Sequence, residues 1–442
     1  MFLHGTQTVN EAGHLEIGGV DVTEIVAEYS TPTIVYDMAL FERRAKGFVD
    51  TFEQLGVKAQ VAYASKAFSN IALYQYAETL GLSLDVVSEG ELYTAVRANF
   101  PAERIHFHGN NKSESELRYA FEVGIGCIVI DNFYEIELLR QIAAERNQKM
   151  NVLIRVTPGV EASTHDYITT GQEDSKFGFD LKNGQADRAF QQLKDDEHLQ
   201  LLGMHCHIGS QIFEVDGFVR AAEALMQKMH TWQEEDHFIC SVLNLGGGFG
   251  IRYTDEDAPE EPHVYVKAMT EAVMKLAEQY KYPMPAIWIE PGRSLVGDAG
   301  TTLYTVGSQK EVPNVRQYVA VDGGMTDNIR PALYDAKYEA VVANKMNAPK
   351  DTVVTIAGKC CESGDQLVQD AHISAVEDGD IIALFCTGAY TYAMASNYNR
   401  LAKPAVVFVK EGRHQLVARR EQLEDLVRLD ETLPQDWLEE RN

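Results

Sequence analysis

Short apolar runs, each closed by glycine, proline, asparagine or a charged residue, recur along most of this chain with longer amphipathic stretches between them. QVAYASK, LSLDVVS, RIHFHG, CIVIDN, NVLIRVTP, LLGMHCHIGS, VLNLGGGFG and AIWIEPGR read as strands, and such runs suit strands buried on both faces. Helical periodicities such as ELYTAVRANF, EIELLRQIAAERN and HVYVKAMTEAVMKLAEQY lie between most of them. About eight strands in strict alternation with helices predict an α/β fold, a closed parallel β/α barrel of the TIM type. In such a barrel the chemistry gathers at the carboxyl ends of the strands, where nearly all the unusual polar residues of this chain fall.

After about Ser294 the rhythm changes. TTLYTVGSQK, RQYVAVDGG, KYEAVVANK, TVVTIAG, DIIALFC and AVVFVKEG are β-type runs separated by turn residues, which predicts a smaller all-β domain. Near the amino terminus the strand-like LEIGG and TPTIVYD flank a helical piece from Val22 to Tyr29, and these strands could join the carboxyl-terminal domain. The expected division is therefore residues 1–36 packing with the β domain, 37–296 the barrel, and 297–442 the β-rich domain.

Length agrees, since 442 residues exceed one ordinary core. A hydrophobic content of 45% with 24% charged residues describes a globular protein. No apolar run approaches the roughly 20 residues of a membrane span, and MFLHGTQTVN lacks a basic region followed by an apolar one, so a cytoplasmic location is expected. The formal charge of −27, from 39 basic and 66 acidic residues, repels phosphate backbones and anionic lipid and argues against nucleic-acid or membrane-surface partners. Cys127, Cys206, Cys240, Cys360, Cys361 and Cys386 show no CxxC spacing, so reduced thiols are expected rather than a zinc knuckle or a disulfide framework.

Lys66 closes the run VAYASK. A strand-end lysine either snorkels to solvent or serves a site, where its amine can attack a carbonyl and form a Schiff base. Gly246, Gly247 and Gly248 follow VLNL; they form a plain tight loop or a cradle of amides for an anion, and the run lacks the spacing of a nucleotide loop, so a single phosphate fits better. Glu290, in Glu290-Pro291-Gly292-Arg293, is a surface carboxylate or one that holds a pyridine nitrogen protonated, with Arg293 free to take a carboxylate or phosphate. His205 and His207 could share a face of their strand as a metal pair, sit as satisfied core histidines, or stack on a cofactor; no acidic third ligand stands at a matching spacing. Cys361 and Glu362 lie in a turn of the β domain, where a thiol can donate a proton to a carbanion. Arg330, Tyr334 and Tyr390 occupy other loops and read equally as ordinary surface residues.

Taken together, YASKA, HCHIGSQ, GGGFG, EPGRS, CESGD and GAYTYAMASNYN resemble, in order, the fold type III (alanine-racemase-like) pyridoxal-phosphate decarboxylases, from about Thr31 to the carboxyl terminus. HDYITTGQEDSKFGF, from His165 to Phe179, resembles an insert of the branch that acts on meso-diaminopimelate. The resemblance implies a pyridoxal 5'-phosphate cofactor bound through Lys66, with Asp85 supporting it and His207 stacked on its ring. Glu290 would face the ring nitrogen beside Gly292, while Ser210, Gly246, Gly247, Gly248, Arg293 and Tyr390 serve the phosphate region. Arg293, Arg330, Tyr334, Tyr390 and Glu362 would bind substrate and Cys361 would donate the proton. It further implies a homodimer in which the Cys361–Glu362 loop completes the partner's site, and no metal. The expected reaction releases carbon dioxide from meso-diaminopimelate to leave L-lysine. Ornithine, arginine and carboxynorspermidine are the alternative substrates, and a non-catalytic cofactor-binding regulator is the reading from another class.

Overall fold

A strand from the amino-terminal region, Thr33–Asp37, holds the two parts of the molecule together. In the computed structural model, which describes residues 2–160 and 175–438, this strand lies between Gly300–Val312, to which it is antiparallel, and Ala405–Lys410, to which it is parallel. Its last residue, Asp37, accepts hydrogen bonds from the amides of Ala39 and Leu40 and so caps the long helix Met38–Gln54 that opens the barrel. The first short strands, Thr8–Val9, Leu15–Ile17 and Val20–Asp21, do not enter that sheet. They form a three-stranded sheet of their own, and Leu15, Ile17, Val20, Val22 and Ile25 bury against the core of the β domain.

The barrel closes as expected. Its parallel strands are Ala59–Ala64, Ser83–Val86, Ile105–Phe107, Cys127–Ile130, Met150–Thr157, Leu199–His205, Val242–Asn244 and Ala286–Ile289; the last pairs with the first, and Met150–Thr157 joins its neighbours on both sides. A further short strand, Phe179–Asp180, adds to Met150–Thr157. Of the segment expected as an insert, His165–Phe179, residues 165–174 lie outside the described residues. Helices following the strands start on side-chain caps at Asn70, Ser88, Ser113 and Asn132, each worth about 1 kcal/mol.

The carboxyl-terminal sheet has nine strands and is organised by Gly300–Val312, which turns from one set of neighbours to another along its length. Two of its strands, Gln366–Ile373 and Arg413–Ala418, escape the sequence reading because charged and polar residues interrupt them; the partner strands supply their apolar contacts. Among the described residues no helix is long and apolar enough to cross a membrane.

Candidate active site

Alternate residues of a barrel strand point inward. His106 stacks on Trp288 with ring centroids 4.3 Å apart, and Cys127, Val129, Leu153 and Val242 pack with that tryptophan as an apolar plug. Two residues further along the same strands stand His108, Glu290, Asp131, Arg155 and Asn244. The barrel interior thus changes from apolar to charged within one step of each strand, at its carboxyl end. Below this layer water is excluded, so its polar groups must satisfy one another.

Glu290 is the centre of that layer. Asn244 Nδ2 donates to its Oε1 at 2.6 Å and His205 Nε2 lies 3.0 Å from its Oε2. His108 Nε2 stands 2.9 Å from Oε1 and 3.8 Å from Asp85 Oδ1, an ion pair without a well-aligned hydrogen bond, which leaves His108 Nε2 and Asp85 Oδ1 as buried polar atoms lacking a hydrogen-bond partner. Burial pushes the Glu290 carboxyl up, but the charges of His108 and His205 and their contacts overcome it and hold the carboxyl well below its usual range. Burial likewise presses His108 down, and Asp85 and then Glu290 outweigh it and raise its pKa. His205 goes the other way: burial drives it to about 4, with Glu290 opposing only in part. Burial raises Asp85, with His108 opposing.

Lys66 rises beside this layer. The strand ends at Ala64 and Lys66 occupies the 3-10 turn Ser65–Ala67, where it is exposed while Ser65 and Ala67 are buried. Its ammonium makes no hydrogen bond among the described residues, although Asp85, Glu91 and His207 all feel its charge. Glu91 is carried up to about 7 by burial. The lysine turn is tied to the β domain: Tyr390, at φ +59°, donates its amide to Ala67 O at 2.8 Å. Pro291 O accepts from the amide of Ala64, which sets Gly292 against the lysine strand; a Cβ on Gly292 would lie 3.0 Å from that of Ala64.

Three loops meet at the glycine run. A Cβ at Gly246 would come within 2.3 Å of Cys206 O, at Gly247 within 2.0 Å of Glu290 O, and at Gly248 within 2.4 Å of Gly209 O. Only glycine allows this approach, so the run packs the loops that carry His207, Ser210 and Glu290 against one another. The strand ends at His205, and His207, beyond the alternation, sits half-buried with Nδ1 3.4 Å from the Gly247 amide nitrogen. The acidic group that local spacing did not offer to His205 is Glu290, from another strand. His108, His205 and Glu290, whose donor atoms lie within 4.8 Å of one another, are also the one group among the described residues that could hold a metal ion.

Arg293 donates to Ser210 Oγ at 2.9 Å and to the Tyr253 hydroxyl at 2.5 Å, with its guanidinium 4.8 Å from the ring centroid of Tyr390. Arg330 donates to the Tyr338 hydroxyl at 2.9 Å and lies within cation–π range of Tyr253, Tyr334 and Tyr390. The two arginines are thus gathered around shared tyrosines. Tyr334 is exposed on the short helix Arg330–Tyr334. Cys361 and Glu362 stand apart. Both are exposed, and the described residues that contact Cys361 are Asn399, which accepts from its amide at 2.7 Å, and Tyr398, whose hydroxyl donates to its carbonyl at 3.3 Å.

Sequence reading missed His108, Arg155, Asn244, Tyr253 and Tyr338. The histidine and asparagine had a signal: in RIHFHG and VLNL each stands at a strand end, two residues after an inward position. Tyr253 and Tyr338 had none, because each meets its arginine only through the tertiary fold.

Comparison with known proteins agrees with this geometry. Residues 38–297 match the family model for the pyridoxal binding domain of pyridoxal-dependent decarboxylases. A diaminopimelate decarboxylase from Bacillus subtilis (strain 168) is 64% identical over 97% of this chain and 98% of that relative, and one from Staphylococcus aureus (strain COL) is 46% identical over 96% and 99%. The solved structure of a diaminopimelate decarboxylase from M. jannaschii in co-complex with L-lysine superposes with a TM-score of 0.91 at 33% identity, covering 97% of this chain and 98% of that one. A barrel that ends in a buried, ionised carboxylate beside a strand-end lysine, with near full-length identity of this order, places the chain in the pyridoxal-dependent decarboxylase family, among the diaminopimelate decarboxylases.

Proposed function

We propose that this chain uses pyridoxal 5'-phosphate to convert meso-2,6-diaminopimelate into L-lysine and carbon dioxide, the last step of lysine formation. The observation that carries the reading is the buried Glu290, held by Asn244, His205 and His108 at the carboxyl end of the barrel strands, in the same barrel mouth as the exposed strand-end Lys66. The cofactor's chemical groups fit what is there. Asp85 Oδ1, His108 Nε2 and Ser65 Oγ are buried without hydrogen-bond partners, and the loops packed at Gly246–Gly248 turn an arginine-held serine toward one region. When bound, pyridoxal phosphate supplies an electron sink for the pair left when carbon dioxide departs.

In this reading each residue has a separate task. Lys66 holds the cofactor through its amine and yields to the amine of the substrate. Glu290 keeps a proton on the ring nitrogen, Asp85 supports the same region, and His207, which burial holds well below the usual imidazole range and so neutral, packs against the ring face. Ser210, the amides of Gly246, Gly247 and Gly248, and Tyr390 take the phosphate, with Gly292 admitting the close approach of the lysine strand. Arg293 and Arg330, with Tyr334 and Tyr390, bind substrate carboxylate; Glu362 binds the distal ammonium. Cys361 delivers the proton that replaces the lost carboxylate at Cα. Because Cys361 and Glu362 are exposed, with Cys361 held through its backbone by Asn399 and Tyr398, we further propose that two copies share their sites, each loop serving the other's barrel.

The distal end of meso-diaminopimelate carries both a carboxylate and an ammonium, so it asks for a cation and an anion together, whereas ornithine or arginine asks for anions only. The test is carbon dioxide release with added cofactor from meso-diaminopimelate, L-lysine, L-ornithine and L-arginine. Release from diaminopimelate alone is expected; release from ornithine or arginine in its place overturns the substrate, and release from none returns the non-catalytic reading. Arg330→Met is expected to weaken use of diaminopimelate by about 2–5 kcal/mol through an unpaired carboxylate, read as a raised KM. An unchanged KM sinks the role of Arg330.

A further inference from the structure

Two acceptor positions of the Glu290 carboxylate are engaged by hydrogen bonds, Oε1 by Asn244 and Oε2 by His205, and His108 stands against Oε1 as an ion pair. A carboxylate can only accept, so His205 must present Nε2–H to it. Neutral at ordinary pH, that ring then carries no proton on Nδ1, and His205 Nδ1 is indeed buried without a partner. The tautomer is therefore fixed. Asn244 is fixed as well, since its Oδ1 accepts from the Gly246 amide at 2.9 Å, which leaves Nδ2 facing Glu290. His108 is held from behind: Lys112, buried with Glu135, donates to Gly109 O and Val129 O at 2.8 Å and pins the loop that carries it.

We propose that His205 and Asn244 are positioning residues that lock the Glu290 carboxylate so that one acceptor position, on Oε2, remains for the ring nitrogen of the cofactor. The proposal rests on the reading that Glu290 faces the ring nitrogen. Without these neighbours less opposes the burial of Glu290, and burial favours the neutral acid, which cannot hold a protonated ring. Asp85, His106, Cys127, Arg155, Cys206 and His207 are further titratable groups that feel or face this carboxylate.

The experiment compares dissociation constants of the purified protein for pyridoxal phosphate and for its analogue with a carbon in place of the ring nitrogen. Wild type is expected to prefer the natural cofactor. Glu290→Gln should abolish that preference, which checks the underlying reading by itself. His205→Leu should shrink the preference about tenfold while leaving affinity for the analogue unchanged, and His205→Gln, which restores an N–H at similar reach, should recover it. Asn244→Ala provides a second variant with the same expected direction. If Glu290→Gln loses the preference and both His205→Leu and Asn244→Ala keep it, the positioning roles are wrong while Glu290 stands. If His205→Leu weakens cofactor and analogue equally, its role is only structural and the proposal falls. If Glu290→Gln keeps the preference, the reading beneath it falls too.

Discussion

The floor of the barrel mouth and the Cys361 turn are built on opposite principles. Asn244, His108 and His205, which hold Glu290, are buried at the ends of strands paired to their neighbours. Cys361 and Glu362 are exposed on a turn whose anchor, Asn399, sits with Arg400 in left-handed backbone at φ +51° and +57°. Only asparagine and glycine enter that region with ease, and two successive residues there store strain that a loop can release. On the roles proposed above, the contrast separates two demands of a decarboxylase. An electron sink must be in place before substrate arrives, whereas a proton donor must face a carbon that substrate itself brings.

The sharpest way to break the comparison is to place the two regions on different chains. Lys66→Ala and Cys361→Ala should each be nearly inactive alone, the second by about 10²–10⁴-fold. If the turn serves a partner's barrel, mixing the two variants under conditions that exchange subunits should restore about a quarter of wild-type turnover, because half the dimers are mixed and each of those has one intact site. No recovery on mixing, with exchange verified, would assign both regions to one chain.

Acid should act on the buried floor first. His205 has a folded pKa of about 4 against an ordinary 6.5, so between these values the unfolded chain takes up a proton that the folded one refuses, and stability falls as pH drops through that window by about 3 kcal/mol. His108 has the opposite sign: its pKa is raised, so its stabilisation is complete below 6.5 and is lost as pH rises through its folded value. Glu290 contributes above the usual carboxylate range and is lost only at still lower pH. Denaturant titrations between pH 7 and 4 should show a shallower decline for His205→Gln; an identical slope would remove His205 from this account.

The smallest expected effect sharpens the other side. Asn399→Ala removes the acceptor of the Cys361 amide in an exposed setting, a loss of about 0.5–1.5 kcal/mol, and should lower kcat by less than about tenfold with cofactor affinity unchanged. A larger fall in cofactor affinity than in kcat would tie the turn to the barrel floor after all.

Much of this was legible in the chain. Periodicity alone yields the barrel, because a parallel strand buried on both faces must be apolar and a helix that covers it must be amphipathic. Lys66, Glu290 and the glycine run stand out for the same reason, as residues that an apolar strand end would otherwise avoid. Local pattern also marks the change of rhythm after Ser294. It could not say that Thr33–Asp37 would be spliced between Gly300–Val312 and Ala405–Lys410, since nothing in a five-residue apolar strand names its partner. Nor could it choose between metal, core and cofactor for His205. What His205 meets depended on strand register, which set it beside Asn244 and brought Glu290 to its Nε2 from a strand 85 positions away. Sequence determines which side chains face inward, because the period is local; which inward side chains meet is decided only by how the barrel closes, because hydrogen bonds between strands carry no memory of distance along the chain.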